Sequence, residues 1–356
     1  MALALALLAS TPLLPWGCAA APTPPAAPVS MEPQRLRAFS FREPHMGSFV
    51  AITLYAGDAD AAQRAADDAY ARVEELIAVY SDYAPDSELS RLSRTSGSAR
   101  AVAVSEDLWI VLHRAGEMSQ LTGGLFDITI GPYKRLWRRS RRQRELPRAE
   151  HLAQAAAAVG WRHVELDART RSVTLRAPGM DLDLAALAPG RIADEALRVL
   201  RERHGLRHAL VDVSGDVVCG DPPPGRPGWR IATVSLQPQG TPTSHLIVSN
   251  CSVSTSGDAF QFIEIEGIRY SHILDPRTGL GTTKPMRATV VAPDGITADA
   301  LATAACLLEP DAALRLIEQD GARASLLIAQ GDGAIERRTA GFDSIPREPS
   351  PQDAGN

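Results

Sequence analysis

The chain has 356 residues, of which 45% are hydrophobic and 22% charged, and its formal net charge is −5. This length allows one large domain or two ordinary ones, with enough apolar residues for a substantial core. The negative balance argues against nucleic acid as a partner, and the basic run at 134–144 is typical of a solvated loop or helix face. No Rossmann glycine fingerprint follows a predicted strand, and neither a P-loop nor a G-x-S-x-G elbow occurs, which argues against those sites.

The N-terminal segment predicts export. The first 17 residues are largely apolar, and such a stretch is too short to span a bilayer comfortably but typical of a secretion signal. Gly17-Cys18 resembles the end of a bacterial lipoprotein signal, in which a lipid is attached to the first mature cysteine. We therefore expect residues 1–18 to be a signal and the protein to be exported, periplasmic and anchored to the membrane by a lipid on Cys18. A simple cleavable signal is the alternative, because no Lys or Arg follows Met1.

Composition divides the rest of the chain into three parts. Residues 19–35 are rich in Pro and Ala and predict an extended tether. Residues 341–356 are polar and contain several prolines, which predicts a disordered tail. The folded domain is expected over 36–340.

Hydrophobic periodicity predicts mixed helices and strands within this domain. Strands are predicted over 49–55, 209–218, 229–234, 246–253, 261–265, 268–274, 288–291, 325–329 and 334–338, with a hairpin turn at Glu266-Gly267. Helices are predicted over 59–80, from an N-cap at Ser105 to Gly123, over 150–159 and 191–204, around Asp299 and near 310–319. Helices separated by blocks of consecutive strands indicate an α+β fold rather than a regular βαβ array.

Four cysteines occur, and they include neither a C-x-x-C pair nor a Cys/His zinc spacing. If Cys18 carries a lipid, an odd number remains: Cys219, Cys251 and Cys306. Export would allow one disulfide among them. Cys306 lies in an apolar helical pattern and is expected to be a small buried hydrophobe.

Two C-terminal motifs indicate phosphoryl chemistry. Asp299 and Thr303 are four residues apart, so a helix places both on one face, and their oxygens are ligands that Mg²⁺ accepts beside substrate phosphates. His272 ends an apolar strand just before a Pro/Gly turn, and an imidazole titrates near neutrality, which suits a general base. The working hypothesis is that a general base acts next to a metal ion that holds a substrate phosphate.

Seven motifs in register resemble those of the ApbE-type flavin transferases, and the match covers the chain from about Pro44 to Gln330. The motifs are Met46-Gly-Ser48, Tyr80-Ser-Asp-Tyr-Ala-Pro-Asp-Ser-Glu-Leu-Ser-Arg-Leu92, Thr122-Gly-Gly-Leu-Phe-Asp127, Asp183-Leu-Ala-Ala-Leu-Ala-Pro-Gly190, Val213-Ser-Gly-Asp216, Thr255-Ser-Gly-Asp258 and the two segments that contain His272 and Asp299. The resemblance implies an α+β, T-fold-like domain of mixed helices and antiparallel strand blocks, forming one compact body with two lobes.

The resemblance also implies an activity. Such enzymes bind FAD, use Mg²⁺ to polarise its pyrophosphate, and transfer FMN through its phosphate to a Thr or Ser hydroxyl of a target flavoprotein, releasing AMP. The reaction needs a metal, a base for the hydroxyl proton and firm placement of the flavin. Two alternatives stay open: an FAD pyrophosphatase, in which water replaces the acceptor, and a non-catalytic lipoprotein that binds FAD.

Site residues follow from the same resemblance. It implies that His272 is the general base and that the metal ligands are the side chains of Asp299 and Thr303 with the Ala186 carbonyl. It assigns a group of mostly apolar, aromatic or acidic residues to the flavin: Met46, Tyr83, Leu125, Phe126, Asp127, Asp183, Pro189 and Ile273.

Each of these assignments has a structural alternative. Thr303 could bond back to its own helix, and Asp299 could be a first-turn carboxylate after an N-capping Thr297. His272 could be a buried, satisfied strand histidine, and Leu125 and Phe126 could be core. Asp275 could orient His272 or shape the Pro276–Gly279 turn, which we favour.

The segment at 183–190 departs from the family pattern. Pro189 stands where the family has a lysine that contacts FAD, and proline supplies neither charge nor a backbone donor. Ala185 replaces a glycine in the same segment. Arg191, two residues further on, is a hypothetical replacement for the missing cation.

Overall fold

The secondary structure comes from a computed structural model that describes residues 36–234, 242–258, 261–331 and 333–349. The helices in this part of the chain are α1 (Ala59–Tyr80), α2 (Glu88–Ser93), α3 (Glu106–Leu121), α4 (Gly131–Gln143), α5 (Ala149–Ala156), α6 (Ala188–Glu202), α7 (Gly295–Ala305) and α8 (Pro310–Gln319). None of them is long and apolar enough to cross a membrane. The predicted signal and tether, and Cys18 with them, lie outside the described residues.

Eighteen strands lie in the same described ranges. They are β1 (Arg37–His45), β2 (Ser48–Ala56), β3 (Val102–Ala103), β4 (Val164–Asp167), β5 (Ser172–Leu175), β6 (Ala209–Val213), β7 (Asp216–Cys219), β8 (Trp229–Val234), β9 (Pro242–Val248), β10 (Cys251–Gly257), β11 (Phe262–Ile265), β12 (Ile268–Ser271), β13 (Leu274–Asp275), β14 (Leu280–Gly281), β15 (Met286–Ala292), β16 (Arg323–Gln330), β17 (Gly333–Arg338) and β18 (Arg347–Pro349).

The main sheet has eight strands in the order β1-β2-β6-β7-β10-β15-β16-β17, and all neighbours are antiparallel. Helix α6 packs against both α1 and α7, and α6 and α7 cover the central strands. The core between them is fully buried at Ile52 and Leu54 of β2, at Leu76 of α1 and at Ile192 of α6. The structure confirms the α+β fold as one compact body of helices and antiparallel strands.

Capping residues explain why several helices begin where the sequence predicts. Asp58 accepts a hydrogen bond from the Ala61 amide (2.8 Å) at the start of α1, and Ser105 accepts one from Leu108 (3.2 Å) at the start of α3. A proline in the first turn begins α8 at Pro310, as the periodicity indicates.

Two predicted strands are each divided by a turn. Residues 209–218 form β6 and β7 around Ser214 and Gly215, whose φ angles are 58° and 103°. Residues 246–253 are divided between β9 and β10 at Asn250, where φ is 50°. Apolar residues flank both turns, so hydrophobic pattern alone does not reveal them.

The expected disorder from residue 341 is wrong for 341–349. Phe342 is 2% exposed and packs in a small core with Trp229 and Leu246, and β18 pairs with β9. The aromatic anchor and the strand pairing are long-range interactions that composition does not report. Residues 350–356 lie outside the described part.

Candidate active site

Asp299 lies on α7 with its carboxylate buried at 4% exposure. Its Oδ2 accepts a hydrogen bond from the backbone N–H of Gly190, 3.3 Å away, at the start of α6. Desolvation raises its pKa well above the usual range, and the charge of Asp216 acts in the same direction. Protein groups therefore offset little of the cost of burying a negative charge on Asp299.

The helix that carries Asp299 begins at a different cap from the one considered as an alternative. Asp294 is the N-cap and accepts from the Thr297 amide over 2.9 Å, so Thr297 lies inside the helix. The carboxylate of Asp194 accepts from the N–H groups of Gly295 (2.7 Å) and Ile296 (3.1 Å). The carboxylates of Asp294 and Asp194 therefore already accept from the N–H groups at the start of α7, and Asp299 is not needed as an acceptor for them.

Thr303, one turn after Asp299, joins α7 to the main sheet. Its hydroxyl is hydrogen-bonded to the Ser256 hydroxyl of β10 over 3.1 Å, rather than to a carbonyl of its own helix. The neighbouring Ser254 donates to the Asp216 carboxylate. Desolvation raises the pKa of Asp216 to about 6. The strand pair β7 and β10 therefore presents oxygen atoms toward the face of α7 that carries Asp299 and Thr303.

His272 lies in the link between β12 and β13 and is exposed, so it is not a buried strand histidine. Its Nδ1 lies 3.1 Å from the Gln261 carbonyl. A carbonyl accepts only, so Nδ1 carries the proton in this contact and the lone pair of the neutral ring is on Nε2. Desolvation by surrounding atoms lowers the pKa of His272, and the charges of Arg141 and Lys134 lower it further.

Asp275 shapes the turn and does not contact His272. Its Oδ1 accepts from the Arg277 amide over 2.9 Å, and its carboxylate pairs with the Arg277 guanidinium (2.7 Å). Its backbone carbonyl accepts from Thr278 and Gly279. These contacts support the turn interpretation.

Asp183 is buried and forms an ion pair with Lys134 of α4, with 2.5 Å between Oδ2 and Nζ. The same ammonium group lies 3.1 Å from the Asp82 carboxylate. Desolvation would lower the pKa of Lys134, but the charges of Asp183 and Asp82 outweigh it and raise the pKa. Lys134 is therefore held in its charged form between two acids.

Tyr83 is the most exposed of the flavin candidates, with 74% of its surface accessible. The Arg138 guanidinium lies 4.1 Å from the ring centroid and is also bonded to Asp82 (2.6 Å). The Lys134 ammonium lies 5.9 Å from the same centroid, so two cations border this exposed ring.

Met46 and the metal candidates occur at the same end of the main sheet. Met46 and Gly47 form the β1–β2 turn, with φ angles of 51° and 72°. Val50 pairs with Val213, so this turn lies at the same end as the Ser214-Gly215 turn that precedes Asp216. The strand register therefore brings Met46 to the same end of the sheet as Asp216, although the two are far apart in the sequence.

The segment around Asp127 has a clear role in the fold. Phe126 is 2% exposed and belongs to the main core, whereas Leu125 is only partly buried. Asp127 accepts hydrogen bonds from the amide and hydroxyl of Thr129 (2.8 and 2.7 Å) and from the Trp161 amide (2.8 Å). These contacts satisfy the buried carboxylate, as its burial requires.

Loop 183–190 connects the Lys134 side of the site to Asp299. Pro189 is in the first turn of α6, where a missing N–H costs no helix hydrogen bond. Ala186 is partly buried just before this helix. Ile273, beside His272, is buried, and its carbonyl accepts from Thr282 (3.0 Å).

Arg191 points its guanidinium at a carboxylate of its own helix. Its guanidinium lies 2.9 Å from the buried carboxylate of Glu195. Arg72 and Arg198 converge on the same carboxylate, each at 2.9 Å. The side chain is therefore committed to an ion-pair cluster, which argues against the hypothesis.

Sequence reasoning missed several side chains at this site. Lys134 and Arg138 belong to a basic run that we interpreted as a solvated face, although helical spacing of four residues does place them on one side of α4. Asp216 and Ser256 lie inside recognised motifs but become neighbours of α7 only through strand pairing. Within the described residues, no three His, Cys, Asp or Glu side chains are grouped as a metal site.

Comparisons with known proteins agree with this geometry. The model of the ApbE family matches residues 46–327. An FAD:protein FMN transferase of Treponema pallidum is 31% identical over 80% of this chain and 83% of its own length, and one of Haemophilus influenzae is 29% identical over 77% and 81%. The solved structure of the flavin transferase ApbE from Vibrio cholerae superposes with a TM-score of 0.79 at 26% identity, covering 87% of this chain and all of that one. The chain therefore belongs to the ApbE family.

Proposed function

We propose that this protein transfers FMN from FAD to a Thr or Ser hydroxyl of a target flavoprotein, forming a phosphodiester bond, releasing AMP and requiring Mg²⁺. The relatives named FAD:protein FMN transferase support the overall activity. The observation that carries the proposal is the exposed His272, whose Nδ1 is fixed by the Gln261 carbonyl so that Nε2 can accept a proton. The lowered pKa of His272 favours its neutral form, which is the form that can accept a proton.

The oxygen atoms around α7 fit a hard cation. Desolvation raises the pKa of both Asp299 and Asp216, and the charge of Asp216 raises that of Asp299 further, so a cation beside Asp299 would relieve that repulsion. Mg²⁺ is usually held by one or two carboxylates together with substrate phosphates, so a site without three acidic ligands is compatible with it. Asp299, Thr303 and the Ala186 carbonyl would hold the ion. When bound, it would neutralise charge on the phosphate oxygens.

The transfer then proceeds by displacement at phosphorus. The acceptor hydroxyl oxygen forms a bond to the FMN phosphorus of FAD, and its proton passes to Nε2 of His272. The bond between that phosphorus and the bridging oxygen breaks, and AMP departs with the electron pair. The histidine returns its proton to solvent or to the leaving phosphate.

The flavin would lie along the surface between Tyr83 and His272. Tyr83 offers an aromatic face, and Lys134 orients the Asp183 carboxylate. Met46, Leu125 and Ile273 would supply apolar contact. Phe126, Asp127 and Pro189 would act by fixing the backbone that borders the pocket, because their side chains are occupied in the fold or bear no polar group.

The test is mass spectrometry of the purified full chain incubated with FAD, Mg²⁺ and a candidate acceptor flavoprotein. We expect an FMN adduct on an acceptor Thr or Ser, with equimolar AMP, and its loss on addition of EDTA or with His272→Ala. Free FMN and AMP in the absence of acceptor would favour the pyrophosphatase. Intact bound FAD with neither product, for several acceptors, would favour the binding-only alternative.

We further propose that a lipid on Cys18 anchors the protein to the membrane on the periplasmic side. The lipoprotein-like Gly17-Cys18 sequence supports this location. Cells fed an alkyne-tagged fatty acid should label the wild type and not Cys18→Ser. Equal labelling of both proteins would contradict the anchor.

A further inference from the structure

Two of the three cysteines in the described residues face each other across neighbouring strands. Cys219 ends β7 and Cys251 begins β10, and the antiparallel register pairs them directly. On the other side of β7, the next residue, Gly220, donates its amide to the Ala209 carbonyl of β6 over 2.8 Å. Backbone groups of successive residues point to opposite sides of a strand, so those of Cys219 point toward β10 and the two cysteines occupy a hydrogen-bonded pair.

That position suits a disulfide. The Cα atoms of a hydrogen-bonded antiparallel pair are typically about 5.5 Å apart, within the range of about 4.4–6.8 Å found for disulfides. The Cys219 thiol already lies beside its partner, with Sγ donating to the Cys251 carbonyl over 3.2 Å. Both thiols are free in this structure.

The two thiols differ in access and acidity. Cys219 is 1% exposed, whereas Cys251 is partly exposed and lines a cleft with Arg198, Arg201 and Asn250. A hydrogen bond between the thiols lowers the pKa of Cys251 and raises that of Cys219. An oxidant would therefore meet Cys251 first, and the thiolate is the reactive form.

We propose that Cys219 and Cys251 form a disulfide that joins β7 to β10 when the protein meets a disulfide oxidant. The Cys251 thiolate attacks one sulfur of the oxidant disulfide, and a mixed disulfide forms as one thiol leaves. The Cys219 sulfur, after losing its proton to solvent, displaces the second thiol. The two cysteines lose two protons and two electrons, and the oxidant is reduced to two thiols.

The cross-link would act on the candidate site. Asp216 is three residues before Cys219 on β7, and Ser254 and Ser256 follow Cys251 on β10. The bond from Ser254 to Asp216 and the contact from Ser256 to Thr303 both depend on the alignment of these strands. A disulfide at the far end of the pair fixes that alignment, and it also constrains the unfolded chain.

The third cysteine supplies a matched control. Cys306 follows α7, and desolvation raises the pKa of its thiol to about 12. It has no cysteine opposite it in the described strand pairs. We therefore expect it to stay reduced under conditions that oxidise the other two.

The experiment is non-reducing peptide mapping of the full chain. The protein is treated with oxidised glutathione or with dithiothreitol, its free thiols are blocked with N-ethylmaleimide, and the digest is analysed by mass spectrometry. After oxidation we expect a linked pair of peptides containing Cys219 and Cys251, with Cys306 blocked, and a melting temperature raised by a few degrees. Cys306→Ala should give the same linked pair.

Three outcomes would overturn the proposal: both cysteines blocked by N-ethylmaleimide after oxidation, stable glutathione adducts in place of the link, or Cys219 or Cys251 linked to another cysteine. Peptide mapping of the wild type tests the disulfide directly, so the test does not depend on whether a variant such as Cys219→Ser folds. Cys251→Ser, at the more exposed position, should abolish the link and the rise in melting temperature. A linked pair with no such rise would contradict the stabilising role.

Discussion

The backbone N–H of Gly190 donates to the Asp299 carboxylate over 3.3 Å, at the point where the first turns of α6 and α7 meet. A Cβ on Gly190 would lie 2.1 Å from the Gly295 carbonyl oxygen, and one on Gly295 would lie 2.2 Å from that of Gly190. Backbone therefore touches backbone here, and the two glycines set the depth at which Asp299 is buried.

Gly190→Ala should separate these helix starts. We expect a loss of about 2 kcal/mol or more in the free energy of unfolding, because neither backbone can yield as a flexible side chain would. Urea denaturation measures the change, with Gly333→Ala as a control, since a Cβ there meets nothing closer than 3.9 Å. Equal loss in the two variants would show that the close approach does not matter.

Asp299→Asn should separate stability from activity. Removing a desolvated charge that repels Asp216 should leave the metal-free protein as stable as the wild type or more so. FMN transfer should fall by at least about a hundredfold, and Mg²⁺ should no longer raise the melting temperature. Thermal melts with and without Mg²⁺ give the second readout independently of the acceptor. A Mg²⁺-dependent rise that survives in the variant would place the ion elsewhere.

Arg141→Gln should change the pH dependence of transfer. A base must be neutral, so the rate should rise with pH through the pKa of His272, and desolvation places that pKa below its usual value. Arg141 lowers it further, and removing that charge should raise it and move the acid limb of the pH profile to higher pH. Arg139→Gln makes the same charge change on the same helix, where Arg139 bonds to Gln143. The acid limb should move in the first variant only.

Lys134→Met should disturb both stability and flavin affinity. The substitution leaves the carboxylates of Asp82 and Asp183 without their shared cation, and breaking a buried pair typically costs about 3–5 kcal/mol. FAD titration should show weaker binding, because Asp183 loses the contact that orients it. Arg135→Met is the control, since the ion pair between Arg135 and Asp181 is more exposed and should contribute at most about 1 kcal/mol. Unchanged FAD affinity in Lys134→Met would show that Asp183 does not contribute to flavin binding.

Local signals predicted much of this fold. Hydrophobic periodicity alone predicts α1 and α8 at their observed positions, and the structure adds the Asp58 cap and the proline that begins α8. The placement of Asp299 and Thr303 on one helix face is likewise predictable, because it follows from their four-residue spacing once the segment is helical. The position of His272 before a Pro/Gly turn and its chemistry predict a general base, and the structure places it in an exposed link with a defined hydrogen bond.

Non-local interactions account for what the sequence did not reveal. The division of 209–218 into two strands depends on positive φ at Ser214, a residue type that rarely marks such a turn. The partners of Lys134 are 52 and 49 residues away from it along the chain, and only the packing of α4 brings them together. The ion pair between Arg191 and Glu195 is local, one turn apart on α6, but the burial of Glu195 beside Arg72 of α1 depends on how α1 and α6 pack.

Asp194 should make the protein less stable as pH rises. Desolvation raises its pKa to about 7 from an ordinary value of 3.8, and the charge of Asp294 acts in the same direction. Between about pH 4 and pH 7 the folded state keeps a proton that the unfolded state releases, so the free energy of unfolding falls as pH rises. One pKa unit corresponds to about 1.4 kcal/mol, so the loss is at most on the order of 4 kcal/mol. Urea denaturation across this pH range should give a flatter dependence for Asp194→Asn than for the wild type. An unchanged slope would show that the group bonded to Gly295 and Ile296 does not titrate in this range.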